Sequence, residues 1–232
     1  MQSIDDYQEL AMRTAKIMEM HEMLNHGALG ILTEVGELAE PIIAMAEQGP
    51  EMETAQADML AASFTEELGD GMWFAAYLAN ALGLQLSFVL DTYRHAQERA
   101  SPGILTLKYA AAAAAVGSRI KSFCFYSKPL DNEKLAEELS WFVFYNACLV
   151  QELGLNGPDV LRANIAKLSK RYPEKYTDQA AIERADKVED RVPYQESDTA
   201  PVSISDVHPL SDEANEISRS NQGVKVSDDR SA

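Results

Sequence analysis

The chain has 232 residues, of which 46% are hydrophobic, and a formal net charge of −17 at pH 7. This is enough for one sizeable domain or two small ones, and the negative charge argues against a general binder of nucleic acid or of acidic membrane surfaces. The N-terminus has no signal-peptide pattern, no apolar run is long enough to cross a bilayer, and two cysteines make no disulfide framework. We therefore expect a cytoplasmic protein with no nucleic-acid or membrane partner.

Helical periodicity runs through nearly every long segment before residue 187, and β-branched alternation is scarce, so we expect an all-α fold. The sequence Leu82-Gly83-Leu84 is typical of a helix end, and Ser101-Pro102-Gly103 marks a boundary. In the first hundred residues we predict four helices, over 4–24, 27–45, from a cap at Ser63 or Thr65 to Ala81, and from Ser87 to about Glu98.

The segment 188–232 differs from the rest of the chain in composition. It holds ten acidic and four basic residues, many serines and few large apolar groups, with no sustained periodicity. Such a segment cannot bury a core, so we predict a disordered acidic tail after a helical domain over 1–187. A solvated tail without chemistry and a partner-binding or solubility segment are both compatible with this composition.

Two pairs of acidic residues have i, i+3 spacing within helical stretches. They are Glu34 with Glu37, and Glu67 with Asp70. At this spacing the two side chains of a pair lie about 60° apart on one helix face. Two such helices packed side by side would direct four carboxylates into one gap. Clusters of oxygen ligands suit Mg²⁺ or Mn²⁺, which in turn suit phosphate chemistry.

A solvated helix face is the ordinary explanation of one acidic pair. Here, however, apolar residues surround both pairs, and no Lys or Arg lies between Lys16 and Arg94. Buried charges are costly unless something compensates them, and the local sequence offers no cation. A divalent metal is the simplest compensation.

The chain also contains a weak internal repeat. At an offset of 71, Glu66-Glu67-Leu68 matches Glu137-Glu138-Leu139, and Leu82-Gly83-Leu84 matches Leu153-Gly154-Leu155. The acids are not repeated: at this offset Trp141 stands in place of Asp70, and at an offset of 73 Leu107 and Ala110 stand in place of Glu34 and Glu37. We therefore predict a metal-binding unit over 1–100 and a degenerate second unit over 101–187 that closes the pocket without binding metal.

Three motifs together carry a resemblance to a known family. They are Glu34-x-x-Glu37, Glu67-x-x-Asp70 and, near the end, Asn164-Ile-Ala-Lys167-Leu-Ser-Lys-Arg171-Tyr172-Pro. In this order they resemble the MazG-like all-α nucleoside triphosphate pyrophosphohydrolase superfamily over roughly residues 20–178. The sequence from His26 to Leu38 resembles bacteriophage members of this superfamily most. The third motif stands at the end of the second unit rather than directly after Asp70, which resembles single-chain duplicated members such as the dimeric-type dUTPases.

The resemblance implies attack of metal-activated water at the α-phosphorus of a nucleoside triphosphate, which yields a nucleoside monophosphate and pyrophosphate. It implies two or three Mg²⁺ or Mn²⁺ ions held by the four acids, with Glu34 or Glu37 as the base. The expected substrate-binding residues are Lys167 and Arg171 for the phosphates, Asn164 and Tyr172 for hydrogen bonds, and His26 for the base.

Several of these roles have ordinary structural alternatives. His26 lies about 20° around the helix from Glu37 and so shares its face, although a packed or capping histidine is the common case. Lys167 and Arg171 share a helix face, as an ordinary basic face would. We expect the aromatic residues after Asp70 to belong to the core, and base stacking is the alternative; they are Trp73, Phe74 and Tyr77.

The substrate and the assembly stay open at this point. A phage-type role favours purine deoxynucleotides such as dGTP or dATP, the duplication favours a dUTPase-like preference, and a relative acting on phosphoribosyl-ATP is a third possibility. A non-catalytic metal-binding or scaffold protein is the alternative outside the enzymes. The resemblance also implies a homo-oligomer, a dimer or tetramer, in the cytoplasm, which is the host cytoplasm if the protein is phage-encoded.

Overall fold

The computed structural model describes residues 3–49, 53–91 and 98–187, and the tail predicted over 188–232 lies outside them. The described residues form helices without any strand, which confirms the all-α prediction. None of these helices combines the length and apolar character that a membrane crossing requires. The helices are α1 (Ile4–Met12), α2 (Met20–Gln48), α3 (Thr54–Ala81), α4 (Leu86–Asp91), α5 (Pro102–Tyr126), α6 (Asn132–Glu152), α7 (Gly157–Arg171) and α8 (Asp178–Glu183), followed by a 3₁₀ turn at Ala185–Lys187.

Helix α3 lies at the centre of the fold and packs against α1, α2, α4, α6 and α7. Helix α2 packs along both α3 and α5, and α5 packs along α6. The second unit reaches α3 through a buried polar contact: Asn146 on α6 donates from Nδ2 to the Leu68 carbonyl at 3.1 Å and to the Tyr109 hydroxyl at 3.1 Å. Buried residues from 1–100 and from 101–187 belong to one hydrophobic core.

The single helix predicted over 4–24 is wrong, because the chain leaves the helix after Met12 and re-enters it at Met20. The physical reason lies at the end of α1. The Ala11 carbonyl accepts from the Thr14 hydroxyl at 2.7 Å and from the Trp73 indole at 3.2 Å. Side chains thus satisfy an acceptor that the next helical turn would otherwise use.

The predicted cap of the third helix is also wrong, because α3 begins at Thr54. The Ser63 and Thr65 hydroxyls donate to the carbonyls of Met59 and Ala61 one turn earlier, at 3.2 and 2.7 Å. They are therefore interior residues that bond back to the helix rather than caps. The predicted fourth helix is described only over Leu86–Asp91, and its later part falls in 92–97, outside the described residues.

The turns that follow α3 and α6 have the same geometry. Gly83 and Gly154 both adopt the left-handed region, with φ of 70° and 71°. In each turn the residue after the glycine donates back into the helix, from Leu84 to the Ala79 carbonyl and from Leu155 to the Val150 carbonyl, at 2.8 and 2.9 Å. Only glycine takes this conformation without strain, which explains the repeated Leu-Gly-Leu pattern.

Candidate metal centre and its pocket

Three of the four predicted acids come together between α2 and α3. Glu34, Glu67 and Asp70 each place a carboxylate oxygen within 4.8 Å of the other two. The helical spacing puts Glu67 and Asp70 on one face of α3, and Glu34 faces them from α2. Glu37 lies outside this trio but lines the same cavity of about 620 Å³. Glu34 is buried, with 9% of its surface exposed, whereas Glu37 is exposed.

The electrostatics of the trio favour a cation. Burial, together with the charges of Asp70, Glu37 and Glu67, raises the pKa of Glu34 to about 8. Burial and the charges of Glu37 and Asp70 raise the pKa of Glu67 to about 7. No hydrogen bond or ion pair engages either carboxylate within 3–49, 53–91 and 98–187. Ionised carboxylates this close repel one another unless a positive charge lies between them.

The distant part of the chain supplies a cation for Asp70, which the sequence did not predict. The Lys167 ammonium group pairs with Asp70 Oδ2, and Asn164 donates from Nδ2 to Asp70 Oδ1 at 2.6 Å. Burial nevertheless raises the pKa of Asp70, against the opposing effect of Lys167. Lys167 also reaches Glu66 at 3.2 Å. Two of the predicted substrate-binding residues, Asn164 and Lys167, therefore hold an acid of the cluster.

Arg171 and Tyr172 also line the cavity. The Arg171 guanidinium donates from Nε and from a terminal nitrogen to both oxygens of Asp186, each at 2.6 Å. The Asp186 side chain is only 1% exposed. Burial alone would raise the pKa of Asp186, but the bonds from Arg171 lower it overall. Tyr172 is buried, and its ring lies 6.0 Å from the Arg171 guanidinium carbon.

An aromatic wall completes the cavity. His26 lies 5.5 Å, centroid to centroid, from both Phe74 and Tyr77, and desolvation lowers its pKa. Tyr77 is fully buried, as a core residue, whereas Trp73 and Phe74 line the cavity. Phe74 packs closely on α2 at Gly30. A Cβ at that position would lie only 2.2 Å from the Phe74 ring. His26 therefore shares the pocket with the acids.

The second unit has no comparable group of acids among the described residues. Glu138, which matches Glu67 in the repeat, pairs through both oxygens with Arg119, at 2.7 and 2.6 Å. Trp141, which matches Asp70, stacks on Tyr145 with ring centroids 5.7 Å apart. An arginine therefore compensates the carboxylate that the repeat retains.

Sequence reasoning missed several residues that line the pocket or contact its residues. Tyr7 donates its hydroxyl to Asn164 Oδ1 at 2.9 Å, and Lys187 pairs with Glu66 at 2.7 Å. Arg184 and Lys187 line the cavity from the segment after α8. The only signal for them in the sequence is the charged run Glu183-Arg184-Ala185-Asp186-Lys187, which has no motif spacing.

Comparisons of the chain with models of protein families, with curated proteins and with solved structures find no match.

Proposed function

We propose that this chain is a metal-dependent nucleoside triphosphate pyrophosphohydrolase of the MazG-like kind, which converts a (d)NTP to a (d)NMP and pyrophosphate. The observation that carries the proposal is the meeting of Glu34, Glu67 and Asp70 within 4.8 Å, in a cavity that also has cationic and aromatic walls. The acidic trio, the cationic wall and the aromatic wall would face the metal, the phosphates and the base of the substrate, respectively.

The donor set fits Mg²⁺ or Mn²⁺, because the residues offer hard carboxylate oxygens and no thiolate or imidazole within the trio. Glu34, Glu67 and Asp70 would hold the metal. A bound divalent ion would neutralise the negative charge that builds on the phosphate oxygens during hydrolysis. A nearby cation also lowers the pKa of a carboxyl group, so the ligands would be ionised at neutral pH.

Glu37 is the residue that we propose as the base. It is one helical turn from Glu34, lines the cavity and remains exposed outside the trio. Its carboxylate would accept the proton of the water that attacks the α-phosphorus. Lys167 would remain beside Asp70 and orient it, and Arg171 over Tyr172 would face the phosphate chain with the donors that Asp186 leaves free.

The two helical units fit the same proposal. The helix order α2–α3–α4 is followed by α5–α6–α7, with the same turn after α3 and α6. We infer that the second unit descends from a duplicated, metal-binding unit that exchanged its acids for packing residues and for the Arg119–Glu138 pair. It would close the pocket in place of a partner subunit.

The test is release of monophosphate and pyrophosphate from each of the eight common (d)NTPs, with Mg²⁺ and with Mn²⁺. We expect turnover that a chelator abolishes, and the panel also ranks the bases. Asp70→Asn should lose metal binding and turnover with an unchanged helical CD spectrum. Glu37→Gln should keep metal binding and lose about 10²- to 10⁴-fold in kcat.

Glu47→Gln is the matched control, because Glu47 is an exposed acid on the same helix that does not line the cavity. Wild-type turnover with Asp70→Asn would contradict the metal centre. Wild-type turnover with Glu37→Gln would contradict only the assignment of the base.

A further inference from the structure

The cations of the cavity differ in whether an acid already engages them. Lys16 pairs with Asp178 at 2.7 Å, and Lys187 pairs with Glu66 at the same distance. Asp186 occupies two donors of Arg171. Arg184 lines the same cavity, and within 3–49, 53–91 and 98–187 its guanidinium group makes no ion pair and no hydrogen bond, although its charge helps to lower the pKa of Asp186. It is therefore a cation with all its side-chain donors available.

The backbone of Arg184 is unusual for its residue type. It is the C-cap of α8, with φ 46° and ψ 59°, in the left-handed region. Glycine is common at such a position, whereas a residue with a Cβ is strained there. Strained backbone that persists in a well-held segment points to a function for the side chain.

A helix cap and ion pairs hold the chain on both sides of Arg184. Before it, Thr177 caps α8 and Asp178 pairs with Lys16. After it, Asp186 and Lys187 attach the 3₁₀ turn to Arg171 and Glu66. Arg184 itself stays exposed at the cavity. Contacts on both sides therefore restrain the backbone at Arg184, while its side chain remains exposed at the cavity.

From these observations we propose that Arg184 is a substrate-binding residue that holds the terminal phosphates of the nucleotide, a role that rests on the proposed function. A planar guanidinium with all its donors available matches a phosphate group in two-point hydrogen bonding. Arg184 and the acid trio line the same cavity, so a triphosphate with its α-phosphate near the trio could extend its terminal phosphates toward the arginine.

The experiment measures binding of inorganic pyrophosphate, in the presence of Mg²⁺, to the full-length protein by titration calorimetry. Arg184→Gln should weaken binding about 10-fold, the lower end of the range for one charge-assisted contact, because the side chain is exposed. Arg162→Gln is the charge-matched control, since Arg162 is an exposed α7 residue that pairs with Asp159 and does not line the cavity. It should bind pyrophosphate as the wild type does.

A second variant separates binding from a structural role. Arg184→Gly relieves the left-handed backbone strain, so its melting temperature should equal or exceed that of the wild type. Its pyrophosphate affinity should nevertheless fall as in Arg184→Gln, and KM for the triphosphate should rise about 10-fold with kcat within about threefold. A fall in melting temperature without loss of affinity would show that Arg184 is only structural.

The outcomes also separate this inference from the function on which it rests. If the wild type binds pyrophosphate through Arg184 but hydrolyses no triphosphate, the proposed function fails and Arg184 remains a phosphate-binding residue. If the wild type hydrolyses triphosphates and Arg184→Gln keeps its KM and its pyrophosphate affinity, the assignment of Arg184 fails alone. A wild type that binds no pyrophosphate overturns the assignment as well.

Discussion

Asn164 donates a hydrogen bond from Nδ2 to Asp70 Oδ1 at 2.6 Å, although the two residues are 94 positions apart in the chain. The opposite side of the Asn164 amide accepts from the buried hydroxyl of Tyr7 at 2.9 Å. Because the Tyr7 hydroxyl donates to Oδ1, the amide nitrogen has to face the carboxylate. Three helices, α1, α3 and α7, thus meet in one chain of hydrogen bonds that fixes the orientation of an acid in the candidate metal centre.

Asn164→Ala should reduce both stability and metal affinity. It leaves a buried hydroxyl and a carboxylate oxygen without this partner, which costs about 1–3 kcal/mol of unfolding free energy. Loss of a group that orients a metal ligand typically costs about 10- to 100-fold in affinity. Urea unfolding and Mn²⁺ titration measure the two effects.

Tyr7→Phe is the control for this prediction, because it removes the hydroxyl but leaves Asn164 beside Asp70. It should cost about 1 kcal/mol and change Mn²⁺ affinity much less than Asn164→Ala. Equal losses of Mn²⁺ affinity in the two variants would mean that Asn164 does not orient Asp70 directly.

The stability of the metal-free protein should fall as the pH rises from about 4.5 to about 8. Burial and neighbouring acids raise the pKa of Glu34 from 4.5 to about 8, so the folded state binds a proton that the unfolded state has released. Because the folded state binds more protons across this window, rising pH favours unfolding. Thermal unfolding in the presence of a chelator at several pH values measures the slope.

Glu34→Gln tests the origin of that slope, since the amide has the same shape and does not titrate. Its melting temperature should depend less on pH between about 4.5 and 8 than that of the wild type. Mn²⁺ added at pH 8 should raise the wild-type melting temperature and have a smaller effect on the variant. Parallel pH profiles for the two proteins would argue against a buried, protonated Glu34.

Asp186→Asn should destabilise the protein by about 1–3 kcal/mol, because it removes the charge of a nearly buried carboxylate that accepts two bonds from Arg171. Asp178→Asn is the matched control, since the Lys16–Asp178 pair is exposed, with 45% and 69% of the side chains accessible. An exposed pair contributes about 0–1 kcal/mol. Urea unfolding should show a larger loss of stability for Asp186→Asn than for Asp178→Asn. A larger loss for Asp178→Asn would contradict a stabilising role of the Arg171–Asp186 pair.

Two truncations should have different effects on catalysis. A chain that ends at Lys187 removes 188–232, whose composition predicts no part of the core, and should keep kcat/KM within a few-fold. A chain that ends at Glu183 also removes Arg184, Asp186 and Lys187, and should raise KM for the triphosphate. Steady-state kinetics on one nucleotide compares them. A loss of activity already in the longer truncated chain would show that the tail takes part in the site.

The sequence alone determined the helical class and the identity of the acids. Both follow from local periodicity, because a helix repeats every 3.6 residues and i, i+3 acids must share a face wherever the helix lies. This is why Glu34, Glu67 and Asp70 meet as expected once α2 packs along α3. The i, i+3 rule also puts Glu37 on the face of Glu34, but it cannot say that Glu37 stands outside the trio.

The tertiary structure alone decided what compensates those acids and where the helices end. Lys167 reaches Asp70, Asp186 reaches Arg171, and the Trp73 indole helps to end α1. Each contact joins elements whose relative positions follow from how the core packs, because side chains far apart in the chain have no fixed spacing. The left-handed Arg184 is the extreme case: no pattern in the sequence predicts it, and it lies between residues that ion pairs join to distant parts of the chain.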